Sequence, residues 1–251
     1  MQIYVSASVK RSGDGSQAAP FQTINEAAQV AVAGDEVIVL PGYYREWVDP
    51  KNGGTADDCR ITYRSQVPGG AVITGSEVVK TWEPYQGDVW VARIPNGLFG
   101  NYNPYTTLIE GDWYIPSKPF HTGEVYLNGK SMYEAEDLEG VLQPQEYKSS
   151  WDRAFTIYRW YTCQEDGNTV LYANFHGANP NEENVEINVR RNCFYPSKTG
   201  VNYIEDNNML VSGEFIDKPD FADYNKIVVP EEEAYGANCI WVNGTVIVAE
   251  G

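Results

Sequence analysis

Thr23-Ile24-Asn25-Glu26-Ala27-Ala28, followed by Gly34-Asp35-Glu36-Val37-Ile38-Val39-Leu40, is the stretch that decides the fold. Thr23 and Glu26 stand three apart in the pattern of a capping box, in which a hydroxyl and a carboxylate satisfy each other's backbone N–H groups at a helix start. Ile24, Ala27, Ala28 and Ala31 recur at helical spacing and Gly34 offers a C-terminal stop, so a helix over residues 24–33 is expected. The period then changes. Residues 36–40, 60–64 and 71–74 are short β-branched strands separated by corners rich in Pro, Gly and Asp, as stacked parallel rungs of a solenoid require. The first coil of a solenoid exposes unpaired backbone and apolar side chains, and an amphipathic helix laid over that end would cover them. The helix over 24–33 is expected to be that cap.

Working outward, residues 3–5 form a short strand, and residues 13–20 form a loop rich in turn residues. From 76 to 195 the strands lengthen and alternate. Asn128-Gly129 and Asp166-Gly167 each separate two such strands, which marks tight hairpins and an antiparallel sandwich. Beyond residue 204, strands are expected at 209–211, 225–229, 239–242 and 245–248, with a short helix at 220–224. The fold class is therefore mostly β: a right-handed parallel β-helix start with an N-terminal capping helix, interrupted by an antiparallel β-sandwich and followed by a short α/β tail. The expected domains are 1–75 with 196–204, then 76–195, then 205–251.

A net charge of -17 and a pI near 4.4 would repel nucleic-acid phosphates and anionic membranes, and favour a neutral or cationic ligand. The four cysteines, Cys59, Cys163, Cys193 and Cys239, are scattered and form no C-x-x-C pair, so reduced, mostly buried thiols are expected rather than a zinc site or a disulfide framework. Residues 1–9 lack a basic stretch leading into a long apolar run, which points to a cytoplasmic protein. No cofactor is expected: His121 and His176 lie far apart, and Gly13-Asp14-Gly15 lacks the strand-to-helix setting of a phosphate loop.

Two resemblances meet at Lys198-Thr199-Gly200-Val201-Asn202-Tyr203-Ile204. Upstream, Ala19-Pro20-Phe21-Gln22-Thr23-Ile24-Asn25-Glu26-Ala27-Ala28, Phe99-Gly100-Asn101-Tyr102-Asn103-Pro104-Tyr105, Gly111-Asp112-Trp113, Asp152-Arg153 and Val185-Glu186-Ile187-Asn188-Val189-Arg190-Arg191 resemble the N-terminal part of the β-xylosidases of glycoside hydrolase family 120. That resemblance covers residues 1–204 and implies a parallel β-helix with an inserted sandwich, xylo-oligosaccharide substrates and retention of anomeric configuration. Downstream, residues 198–251, including Glu205-Asp206-Asn207-Asn208-Met209-Leu210-Val211-Ser212-Gly213 and Tyr235-Gly236-Ala237-Asn238-Cys239-Ile240-Trp241-Val242-Asn243, resemble a fragment of a dimethylarginine dimethylaminohydrolase.

Glycoside hydrolysis needs two carboxyl groups flanking the scissile bond. Glu110 and Asp112 would share a strand face and Asp57-Asp58 is a local cluster, but solvated surface carboxylates account for both. The resemblance places the nucleophile and the acid/base on later coils than those matched here, so no catalytic residue is assigned. Trp113 aligns with the tryptophan that stacks on xylose, with packing in the sandwich core as the alternative. Trp47, Trp82, Trp90, Trp151, Trp160 and Trp241 are expected to pack in cores or interfaces.

The amidine hydrolase would need a histidine where Pro196 stands and a thiolate nucleophile near its C-terminus; Cys239 aligns instead with a strand cysteine. Three functions follow: a β-xylosidase-like protein, not catalytic as it stands; a non-catalytic carbohydrate-binding or structural β module; and an amidine hydrolase fragment. The expected partner is a xylo-oligosaccharide or related neutral sugar, without nucleic acid or membrane, and self-association through an uncovered solenoid end is left open.

Overall fold

A computed structural model describes residues 1–56, 58–110, 119–195, 202–206, 209–213, 239–242 and 245–248. It divides into two compact units, Met1–Thr74 with Asn192–Gly251 and Gly75–Arg191. No helix among the described residues is long and apolar enough to cross a membrane.

In the first unit, β1 (Gln2–Val5), β2 (Glu36–Val39), β3 (Gly42–Arg45), β4 (Ile61–Ser65) and β5 (Ala71–Thr74) are all short. β1, β2 and β4 pair in parallel, and β3 pairs in parallel with β5 in a separate sheet, as the successive coils of a β-solenoid do. The register stacks like on like. Ile3 faces Val37, which faces Tyr63, and all three are almost fully buried.

Helix α1 (Ile24–Val30) presents Ile24, Ala27 and Ala28 to the same core as Ile3, Val5, Val37, Val39 and Ile61. Its capping box is formed as expected: Glu26 N–H donates to Thr23 Oγ1 at 3.1 Å and Thr23 N–H donates to Glu26 Oε2 at 2.9 Å. Glu46 accepts from the Ile24 and Asn25 N–H groups, so the first turn is fully satisfied. The helix ends three residues earlier than the apolar period suggested. Ala31 leaves helical geometry at φ -57, ψ 139, and the next N–H, that of Val32, is taken by the Asp35 carboxylate at 2.9 Å. Gly34, at φ +84, serves the turn into β2 rather than the helix end.

The second unit packs two sheets face to face. After β6 (Ser76–Val78), β7 (Glu83–Gln86) and β8 (Val89–Pro95) come β9 (Val125–Leu127), β10 (Lys130–Ser131), β11 (Tyr133–Glu134), β12 (Arg159–Glu165), β13 (Asn168–Asn174) and β14 (Val185–Asn188). One sheet has the order β10-β9-β14-β6 and the other β11-β12-β13-β8-β7. Both expected hairpins are present. Asn128 and Gly129 join β9 to β10, Asp166 and Gly167 join β12 to β13, and all four residues have positive φ, the backbone of the tight turn that matches strand twist. Trp160, Tyr105, Phe175, Leu171, Val125 and Ile187 fill the space between the sheets. Helix α2 (Leu138–Leu142) covers the outer face of the five-stranded sheet, burying Val141 with Val89, and Asn174 Nδ2 donates to the Val141 carbonyl at 3.0 Å.

Past the sandwich, β15 (Asn202–Asp206) pairs in parallel with β4, Ile204 opposite Tyr63, and β16 (Met209–Gly213) pairs antiparallel with β15. β17 (Cys239–Val242) and β18 (Thr245–Val248) form a two-stranded antiparallel ribbon. The described part of the seam heptapeptide, Asn202 to Ile204, thus lies on a solenoid rung, and the strand after it reverses direction. The strand expected at 225–229 and the helix expected at 220–224 lie outside the described residues.

Candidate functional site

A cleft of about 1190 Å³ opens in the second unit. It is built where short strands end. Glu124 stands just before β9, the Asn128-Gly129 turn presents Lys130 and Ser131 on β10, β11 brings Glu134, and residues 143–152 supply Gln145, Tyr147, Trp151 and Asp152. Gly123 lines it for a steric reason: a Cβ there would lie 2.5 Å from a Tyr105 ring carbon, and Tyr105 is held by its single hydroxyl proton, shared between the Glu124 carbonyl (2.6 Å) and Asn188 Oδ1 (3.1 Å).

His121 and Glu134 form a doubly bonded polar pair in the cleft. The His121 backbone N–H donates to Glu134 Oε2 at 2.8 Å and ring Nδ1 lies 2.6 Å from Oε1. A carboxylate only accepts, so Nδ1 carries a proton and donates it to Glu134 Oε1. Both side chains are largely buried, at 21% and 10% exposure. Burial raises the Glu124 carboxyl above its ordinary range; the Ser131 hydroxyl that donates to it works the other way, and the Glu134 charge raises it further. Lys130 reaches Asp152 Oδ2 at 2.5 Å while lying 4.0 Å over the Phe155 ring. The cleft thus offers carboxylates, amides and aromatic faces with an acidic balance, the equipment to accept hydrogen bonds from a neutral, hydroxyl-rich ligand.

Trp113 lies outside the described residues. The segments on either side of it are held together at the cleft: Ile109 N–H donates to the Phe120 carbonyl at 2.9 Å and Thr122 N–H to the Thr107 carbonyl at 2.8 Å, and Ile109 and Phe120 both line the cleft. Of the weaker candidates, Glu110 and Asp58 are exposed, as surface carboxylates should be, while Asp112 and Asp57 lie outside the described residues.

The packing expected of the other tryptophans is observed for Trp82 and Trp160, which are 3% and 1% exposed, and for Trp90, half-buried against the same core. It is wrong for Trp151, which is 95% exposed on the cleft rim, because it sits on a turn rather than on a strand face. Trp47 is 42% exposed, although its Nε1 donates to the Tyr195 carbonyl at 3.0 Å, and the Trp241 side chain lies outside the described residues. Cys59, Cys163 and Cys193 are half-buried rather than buried, and burial pushes the Cys163 thiol up; the Cys239 side chain lies outside the described residues.

His176, at positive φ, donates from Nε2 to the Ile157 carbonyl at 2.9 Å and stacks edge-on against Tyr158, which is a packing role. Among the described residues no group of His, Cys, Asp and Glu side chains is arranged to hold a metal ion. The pairing of His121 with Glu134 was missed from sequence. The two are thirteen residues apart on no common periodicity, and only the hairpin folds them together.

Residues 79–187 match the family described as glycoside hydrolase 120, insertion domain. A solved complex of XylC with xylose superimposes with a TM-score of 0.76 and 44% identity, over 81% of this chain and 34% of that one. N(G),N(G)-dimethylarginine dimethylaminohydrolase of Pseudomonas aeruginosa is 59% identical over 54 residues, 22% of this chain and 21% of the relative. The uncharacterized protein YwoF of Bacillus subtilis is 36% identical over 76 residues, 30% of this chain and 16% of the relative. The chain therefore spans about a fifth or less of the curated relatives it matches and about a third of the XylC chain. The first 204 residues resemble the N-terminal part of family 120 β-xylosidases and residues 198–251 resemble part of a dimethylarginine dimethylaminohydrolase, which makes this chain a glycoside hydrolase-like β-helix protein.

Proposed function

We propose that this chain binds xylo-oligosaccharides or related neutral sugars without turning them over. The observation that carries the proposal is the 0.76 TM-score and 44% identity to a chain solved with xylose bound. The cleft chemistry supports it: aromatic faces suit the C–H surface of a pyranose, and carboxylates and amides suit its hydroxyls. In this proposal Trp113 is the xylose platform. The resemblance supports binding without hydrolysis, because it assigns the nucleophile and the acid/base to coils later than the matched segments.

The amidine hydrolase resemblance does not alter this proposal. Pro196 occupies the place of that family's histidine and cannot shuttle a proton. Calorimetric titration with xylose and xylobiose is expected to show saturable binding that Trp113→Ala weakens, while chromatography of the same samples shows no xylose released from xylobiose. Absence of binding in the wild-type chain would refute the proposal.

A further inference from the structure

Trp151 is the most exposed large aromatic side chain among the described residues, at 95%, and Tyr147 beside it in sequence is 61% exposed. Both line the cleft. Leaving an indole in water forgoes the burial that normally places tryptophan inside, so a fully presented one calls for a use.

The turn that carries it is built to hold it out. Tyr147 N–H donates to the buried Thr156 hydroxyl at 2.9 Å, Ser150 N–H to the Tyr147 carbonyl at 3.0 Å, and Asp152 N–H to Ser150 Oγ at 3.2 Å. Two ion pairs tie the same turn, Arg153 to Glu146 at 2.5 Å and Asp152 to Lys130 at 2.5 Å. The indole is therefore presented by a fixed backbone and covered by no described side chain.

The cleft beneath it, about 1190 Å³, exceeds the roughly 300–1,000 Å³ common for small-molecule pockets, so it has room for several sugar rings. Gln145, Glu136, Asp137 and Asp152, which also line it, are polar or acidic. A protein–protein interface core is depleted of charge, whereas a saccharide offers an apolar ring face to the aromatics and a rim of hydroxyls to the carboxylates and amides.

We propose that Trp151 and Tyr147 form an aromatic platform that holds an extended neutral oligosaccharide along the cleft of the sandwich unit. The ligand class rests on the sugar-binding function proposed above; the residues assigned here, Trp151 and Tyr147, are distinct from Trp113.

The test is calorimetric titration of the full chain with xylohexaose and with xylose, for wild type, Trp151→Ala, Trp151→Phe and Trp113→Ala, with circular dichroism to check each fold. Trp151→Ala is expected to weaken xylohexaose binding about fivefold or more, Trp151→Phe to restore most of it, and xylose affinity to stay unchanged in both. Equal xylohexaose affinity in wild type and Trp151→Ala would overturn the platform. So would a Trp151→Ala chain that binds xylohexaose normally but sediments as a smaller species, because the indole would then serve contact between copies. The two proposals fail differently: loss of the xylose site alone appears as no xylose binding by the wild-type chain with Trp151-dependent xylohexaose binding intact.

Discussion

In the solenoid unit the core is a column of modest side chains repeated from rung to rung, Ile3, Val37 and Tyr63, closed at one end by the alanine face of α1. In the sandwich unit it is a single cluster of large rings, with Tyr105 edge-on to both Phe99 and Trp160, and Trp82 edge-on to Phe175. The difference shows how stability is distributed. A column passes load between neighbouring rungs, so each residue matters to the next strand, whereas an aromatic cluster concentrates contact area in a few positions between two sheets. It is also in the sandwich unit that the cleft opens, where hairpin ends meet beside the cluster of rings.

Substitutions at each end of this contrast should separate the two modes. Trp160→Ala removes the largest fully buried side chain among the described residues and is expected to cost about 3–5 kcal/mol by urea unfolding. A cost under about 1 kcal/mol would mean that the cluster is not the mainstay of the sandwich. Gly123→Ala, whose Cβ would meet the Tyr105 ring at 2.5 Å, is expected to cost about 1–3 kcal/mol and to weaken sugar binding, since the same residue lines the cleft. Thr23→Ala, which strips the hydroxyl from the capping box at the solenoid end, should cost about 1 kcal/mol and raise amide exchange in residues 24–30 more than in the sandwich.

The smallest effects are those of pH, and they should have opposite signs in the two units. In the solenoid unit, burial acts to raise the Asp35 carboxyl, but hydrogen bonds from the Met1 ammonium and the Val32 N–H outweigh it and leave it below its ordinary 3.8; Glu36, bonded first to Arg64, is likewise held below 4.5. Their contribution is fully present above those ordinary values and is lost as pH falls through the lower folded-state values. In the sandwich unit Glu124 is raised, so its ionisation at neutral pH opposes folding and protonation relieves it as pH falls toward 4.5. Mild acidification should therefore increase exchange protection around β9 before it decreases protection around β2, and Glu124→Gln should abolish the first change. Simultaneous loss of protection in both units would contradict this assignment.

The devices that fix local geometry were legible in the sequence because each is a short-range pattern: the capping box at Thr23 and Glu26, and the two turns at Asn128-Gly129 and Asp166-Gly167. The helix was read three residues too long because Ala31 extends the apolar period, while the Asp35 carboxylate that captures the Val32 N–H belongs to the next element. The cleft was illegible for a related reason. His121, Glu124, Glu134 and Asp152 belong to different strands and turns, and their meeting depends on sheet register, which local spacing does not encode. Trp151 was expected to pack inside, as most tryptophans do, and nothing in its neighbours' spacing marks the turn that presents it.

The measurement that bears most directly on the central claim is a paired one on a single sample: calorimetric titration of the chain with xylotetraose, followed by chromatography of the mixture. Saturable binding with the tetrasaccharide recovered intact is the predicted result. Release of xylose would contradict binding without turnover, and a flat titration would contradict sugar recognition itself.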